Sequence, residues 1–228
     1  ERLTRIDPGN RPRTILETDI ERSFLNSATG NRPTENQIRV SELVTAHEGR
    51  ELLRALRTID DQLPRTGAAR SDWYSARAHV EHQLGRTQES LESLRLAWTS
   101  LPIDSVRKGI AANAYAWRAA EWEMDLENAL QAIESALADL PQWNPHDADY
   151  TSGSYEAWLT QQRNTISAWL DTQGWLLYRL GRTEEAVGLI QEAILMRPRP
   201  HGEITLHLGL AHARLGNTDL AITILSRG

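Results

Sequence analysis

Few side chains in this chain are spaced for chemistry. His79 and His82 lie three apart, on one face if the segment is helical, with Glu81 beside them. Such a pair can hold a metal when a neighbouring helix supplies a third ligand. No HExxH run or calcium-hand loop accompanies them, so polarity or partner contact is the better reading. His146, Asp147 and Asp149 cluster in a polar stretch that lacks the Gly and terminal Glu of a calcium loop, and they read as solvated surface. There is no Cys, hence no thiolate nucleophile, disulfide or thiolate metal site. Neither a Gly-rich phosphate loop nor a GxSxG elbow occurs. Acidic residues fall at helical spacing near Arg, as at Glu184-Glu185, which is surface decoration. The residues therefore point away from catalysis, and no cofactor is expected.

What positions these residues is a spacing that recurs four times. Gly174, Gly181, Ala186, Ile190, Ala193 and Pro198 are separated by 7, 5, 4, 3 and 5 residues. Ala78, Gly85, Ser90, Leu94, Ala97 and Pro102 repeat it, as do Trp117, Met124, Ala129, Ile133, Ala136 and Pro141. Gly209, Gly216, Ala221, Leu225 and Gly228 repeat it again. A period of this kind marks stacked helical hairpins. Small residues at Ala78, Gly174 and Gly209 let two helices approach. Leu84-Gly85, Leu180-Gly181 and Leu215-Gly216 supply turns, because Gly takes the left-handed conformation that ends a helix. Thr87, Thr183 and Thr218, or the Asn217 before the last, are expected to cap the second helix. Pro102, Pro141 and Pro198 stop it.

These motifs resemble the tetratricopeptide repeat family. The clearest stretch is LDTQGWLLYRLGRTEEAVGLIQEAILMRP, Leu170 to Pro198, followed by ITLHLGLAHARLGNTDLAITIL. Resemblance covers about residues 70–228, with repeats near 71–102, 110–141, 167–198 and 202–228. The second departs: Trp117 stands where a small residue is usual, and Met124 replaces the turn Gly. The resemblance implies an all-α, right-handed solenoid of hairpins whose first helices line a concave groove. By register the groove residues are Asp72, Ser75, His79, His82 and Gln83, then Ala114, Arg118, Glu121 and Trp122. The third repeat gives Asp171, Trp175, Tyr178 and Arg179, and the fourth Leu206, Leu210, Ala213 and Arg214. Arg118, Trp122, Trp175, Tyr178 and Arg179 form the strongest cluster, since aromatics and Arg dominate binding hot spots. The alternative is that Trp122 and Trp175 pack between repeats. Some members clamp a terminal carboxylate with Lys and Asn. The matching positions here hold Ser75, His79, Ala114 and Arg118, which argues against a chaperone-tail receptor.

Two segments fall outside the repeats. Residues 1–35 lack periodicity and contain Pro8-Gly9, Pro12 and Pro33, so an extended arm is expected, with one short helix near Ile15–Leu25. Residues 36–228 are then the solenoid, opening with a degenerate hairpin built on Ile38, Leu43, Leu52, Leu53, Leu56 and Ile59. Pro141 to Pro198 is 57 residues, against about 34 for a plain unit. This insertion, 142–166, opens as the loop QWNPHDADYTSGS. Tyr155, Trp158, Leu159, Ile166, Trp169 and Leu170 then share a face, predicting one long helix from Tyr155 to about Leu180 that projects beyond the solenoid.

The chain has 228 residues, 40% hydrophobic content and a net charge of −6. That acidity argues against nucleic acid as the partner, and no apolar run approaches the ~20 residues of a membrane span. Basic residues are nearly all Arg, Lys108 being the single lysine, which reads as the bias of a GC-rich bacterial genome. The compartment stays open between cytoplasm and periplasm. The chain starts at Glu1 and stops at Gly228 within the fourth copy, so a processed or partial chain, or an end that docks onto something, is expected. The functional expectation is a scaffold that binds a protein or peptide segment in its groove. The alternative is a permanent subunit of a larger complex, docked through the arm and the inserted helix.

Overall fold

The computed structural model describes residues 49–62, 68–102, 106–140, 155–197, 199 and 201–226. The expected arm, the first part of the leading hairpin and the 141–154 loop lie outside these residues. Nine helices and no strand occur among them: α1 Gly49–Gln62, α2 Ala68–Gln83, α3 Thr87–Thr99, α4 Val106–Trp122, α5 Leu126–Ala138, α6 Tyr155–Arg179, α7 Thr183–Met196, α8 Gly202–Arg214 and α9 Thr218–Leu225. They pair as the hairpins α2/α3, α4/α5, α6/α7 and α8/α9, with α1 against α2. The second helix of each hairpin packs on the first helix of the next, and the first helices α4, α6 and α8 pack in series. This is a right-handed, tetratricopeptide-like solenoid in its element order and contacts.

The small-residue positions explain how close the helices come. A Cβ added to Gly174 would lie 2.6 Å from Ile190 Cγ1, and Ile190 is fully buried. Ser90 uses its size differently, since its hydroxyl donates to the Ala78 carbonyl at 2.7 Å across the hairpin. Ser167 does the same to Ala193 at 2.7 Å, and accepts from Arg197 Nε at 2.9 Å. The main core gathers Leu94, Tyr115, Ile133, Leu176, Ile190 and Ile204. A smaller one holds Leu52, Leu56, Ile59, Trp73 and Val80 under α1. Leu53 of the expected leading stripe is exposed instead.

Turns at Gly85, Gly181 and Gly216 have φ of +74°, +82° and +80°. Each closes with the six-to-one bond of a Schellman motif: Arg86 N to Glu81 O, Arg182 N to Leu177 O and Asn217 N to His212 O, at 2.9, 2.8 and 3.0 Å. The expected side-chain caps do not form. Arg86, Arg182 and Asn217 occupy the N-cap without a side-chain cap bond, and each Thr is already the first helical residue.

The second repeat corrects the sequence register. Met124 is not its turn residue. Glu123 takes the left-handed conformation (φ 54°), and Met124 N bonds Ala119 O at 3.0 Å. Counting back seven places from Glu123, as from Gly85 to Ala78, reaches the fully buried Ala116 rather than Trp117. The turn is one residue longer, and the extra residue, Asp125, is also left-handed (φ 51°). Its carboxylate accepts from the Tyr115 hydroxyl and from Asn128 Nδ2. Burial, reinforced by that carboxylate, pushes the Tyr115 phenol well above its ordinary value. α6 runs 25 residues, about 37 Å at 1.5 Å per residue. Its side chains are exposed or half-buried from Glu156 to Ile166 and become buried from Ser167 onward.

Candidate protein-binding groove

By repeat register, five positions on each first helix are the ones assigned to the concave side. With α4 re-registered, its contribution becomes Ile110, Asn113, Trp117, Ala120 and Glu121. Ala114 and Trp122 leave the row, and Arg118 is buried beneath it. Arg118 pairs with Glu121 at 2.5 Å and lies 5.4 Å over the Trp122 ring. Trp122 in turn sits 5.3 Å from His82, and His79 Nε2 lies 2.8 Å from Gln83 Nε2. His82, Arg118 and Trp122 therefore form one contiguous set spanning the first two repeats, with His79 one turn before His82 and bonded to Gln83.

A second set spans repeats two to four. Trp175 and Tyr178 stack at 4.6 Å and 6°. Arg179 lies 4.5 Å over Trp175, and Arg214 lies 3.7 Å over Tyr178. Arg179 also reaches Glu123 at 2.5 Å, tying α6 to the longer turn. Asp171 is buried and faces His207 Nδ1 at 3.0 and 3.1 Å through its two oxygens. Asp171, Trp175 and Tyr178 are all buried, while Arg179 beside them is half-buried. Trp122 and His82 are half-buried as well.

Exposed apolar surface on the wall comes from other residues. Ile110 is 44% exposed and Leu206 46%, with half-buried Trp117 and Leu210 beside them. Two amide oxygens, Asn113 Oδ1 and Gln83 Oε1, are buried with no hydrogen-bond partner. Burial raises the Glu203 carboxyl above its ordinary range, and the Asp171 and Glu121 carboxylates add to that against His207 and Arg197. Asp72 is likewise raised by burial, offset in part by its ion pair with Arg107. Among the described residues, no three His, Asp or Glu side chains gather to hold a metal ion. None of the described helices is long and apolar enough to cross a membrane.

Sequence reasoning missed Trp117, His207 and Glu203. Asp125 was the available signal for the first, because Asp tolerates the left-handed conformation and favours helix starts, which fits a longer turn. His207 lies one residue off the five counted positions, and only the packing reveals it.

Residues 172–227, from within α6 to the end of α9, match the family model described as tetratricopeptide repeat. No curated protein matches the chain. Solved structures match its fold. The TPR-like repeats of a putative kinesin light chain from Podosopora anserina superpose with a TM-score of 0.55 at 15% identity, covering 92% of each chain. A point-substituted form of those repeats gives 0.56 at 15% identity, covering 93% of this chain and 92% of that one. BtubC (BKLC) from P. vanneervenii gives 0.57 at 15% identity, covering 94% of this chain and 90% of that one. The class so defined is the helical-repeat scaffold, a fold generally used for protein–protein interaction.

Proposed function

We propose that the chain is a non-enzymatic recognition scaffold whose concave groove receives a segment of another protein rather than nucleic acid. The observation that carries this is the exposure of two large apolar side chains, Ile110 and Leu206, at groove positions of two different repeats. A bound segment covers both and removes them from water. In this reading Asp171, Trp175, Tyr178 and His79 are the floor, with Arg118 held beneath it. His82, Trp122 and Arg179 are the rim that touches the segment. A preformed wall loses little entropy on docking. A permanent-subunit role is the second reading, favoured by Leu195 and Ile222, which are 84% and 58% exposed on α7 and α9.

Panning a displayed random-peptide library on the whole chain tests the first reading. Peptides so selected should bind a folded Ile110→Glu/Leu206→Glu variant at least about 10-fold more weakly, the loss of roughly one hot spot. They should bind Leu195→Glu unchanged. The reverse pattern overturns the groove reading.

A further inference from the structure

Trp117 of α4 reaches over α6 and meets His207 of α8, two hairpins away, with ring centroids 5.7 Å apart. His207 also lies flat on Trp175, at 4.1 Å and 12°. Its Nδ1 points at both oxygens of Asp171. His207, Trp175 and Asp171 are each more than nine-tenths buried. The imidazole thus fills a slot in which the Trp175 indole stacks flat on it, the Trp117 indole leans against it at 42°, and a carboxylate holds its Nδ1 edge.

That surround has a definite chemical preference. Indole faces attract flat, electron-poor groups, and a carboxylate offering two oxygens matches paired N–H donors. Glu203 stands close enough to interact electrostatically with His207. The cations nearby are already engaged, Arg118 with Glu121 and Arg197 with Ser167. A guanidinium is planar, always cationic and rich in N–H, and meets every one of these conditions. The fold already stacks guanidiniums on the adjoining rings, Arg179 on Trp175 and Arg214 on Tyr178.

We infer that this slot is a planar-cation site, that it takes an arginine side chain of the docked partner segment, and that His207 is the internal occupant it displaces. The arginine assignment rests on the groove reading above, and the slot itself does not. Occupant and ligand compete for Trp117, Trp175 and Asp171, so the groove floor stays covered until an arginine-bearing segment arrives.

The test is to vacate the slot in the whole chain with His207→Ala and offer it small planar bases. Thermal melts are run with about 50 mM imidazole, methylguanidinium or tetramethylammonium at constant ionic strength. For a dissociation constant of about 10 mM, the first two raise the variant's midpoint by about 2–4 °C beyond their effect on the wild type. Tetramethylammonium, which is cationic but not flat, does not, and adding Asp171→Asn abolishes the rescue. If His207→Ala is unfolded alone, the readout is recovery of helical circular dichroism as imidazole is added. No selective shift, or no recovery, overturns the slot. Groove-binding peptides selected without enrichment of arginine overturn the ligand assignment and leave the groove reading standing. A rescue with no groove-binding peptides supports the slot and removes the partner.

Discussion

Two Gly→Ala substitutions within one hairpin should move stability in opposite directions. Gly174 sits in α6 against α7, where a Cβ would lie 2.6 Å from Ile190 Cγ1 and 3.2 Å from the Ala186 carbonyl. Carbon atoms rest at about 3.5–4.0 Å, so roughly 1 Å must be found. Ile190 cannot supply it. It is fully buried, and as a β-branched residue in a helix it has essentially one χ1 rotamer. The two helices must part instead, and overpacking of this kind costs about 1–3 kcal/mol. Alanine returns about 1 kcal/mol through helix propensity. Taking the upper half of the overpacking range, Gly174→Ala should destabilise by about 1–2 kcal/mol. Gly188 lies on the exposed face of α7, and its Cβ would meet nothing within 4 Å. Gly188→Ala keeps only the propensity gain, about 0.5–1 kcal/mol. At ~2–4 °C per kcal/mol for a chain of this size, the two variants should melt roughly 5–10 °C apart. Urea titration gives the same ordering through the midpoint. Hydrogen exchange on α6 and α7 reads it locally, because repeat arrays open piecewise. If both variants shift the same way, or Gly174→Ala melts at or above the wild type, the close-approach argument fails.

Two further outcomes follow from the same geometry. Glu123→Gly removes a left-handed strain of about 1–2 kcal/mol. The change also gives up an ion pair with Arg179 that is mostly solvated on the Glu123 side, so the variant should hold or gain up to about 1 kcal/mol after the unfolded-state entropy of Gly. Met124→Gly should instead lose about 1 kcal/mol or more, since Met124 packs on the core with an ordinary φ; paired denaturant curves that rank the two the other way would restore the original register. Because burial raises the Glu203 carboxyl in the folded chain, its ionisation works against folding above that raised value. This penalty fades as pH falls through the raised value and is gone below the ordinary 4.5. Glu203→Gln should therefore melt higher than the wild type near neutral pH, with the gap closing on acidification toward the ordinary carboxylate range, and a gap that widens instead would reverse the sign.

Most of the hairpin framework was legible because it depends on backbone requirements that few residues meet. Gly85, Gly181 and Gly216 announce left-handed turns, and Gly174 and Gly209 announce close helix approach. The second repeat was misread because Glu123 and Asp125 adopt the same conformations without being Gly, so a fixed offset pointed at Met124. One residue of slip rotates a helix by about 100°, enough to replace Ala114, Arg118 and Trp122 in the groove row with Asn113, Trp117 and Ala120, while Glu121 stays in it. Side-chain capping failed as an expectation because the Schellman bonds place Arg86, Arg182 and Asn217 at the cap and move each Thr inside the helix. Register placed Trp175 and Tyr178 in the groove row, with packing between repeats as the alternative for Trp175, and both are buried. The contact of Trp117 with His207 was not legible, since it joins hairpins far apart in sequence, which no local spacing encodes.

Site-specific photo-crosslinking tests the central claim most directly. A benzoyl-phenylalanine placed at Ile110 or Leu206, in the full-length protein expressed in its source cells, should give a discrete adduct with a partner protein. The same probe at Leu195, more exposed but on the back of α7, should not. Adducts formed at Leu195 or Ile222 while Ile110 and Leu206 stay silent would contradict groove recognition and move the interface to the outer helices.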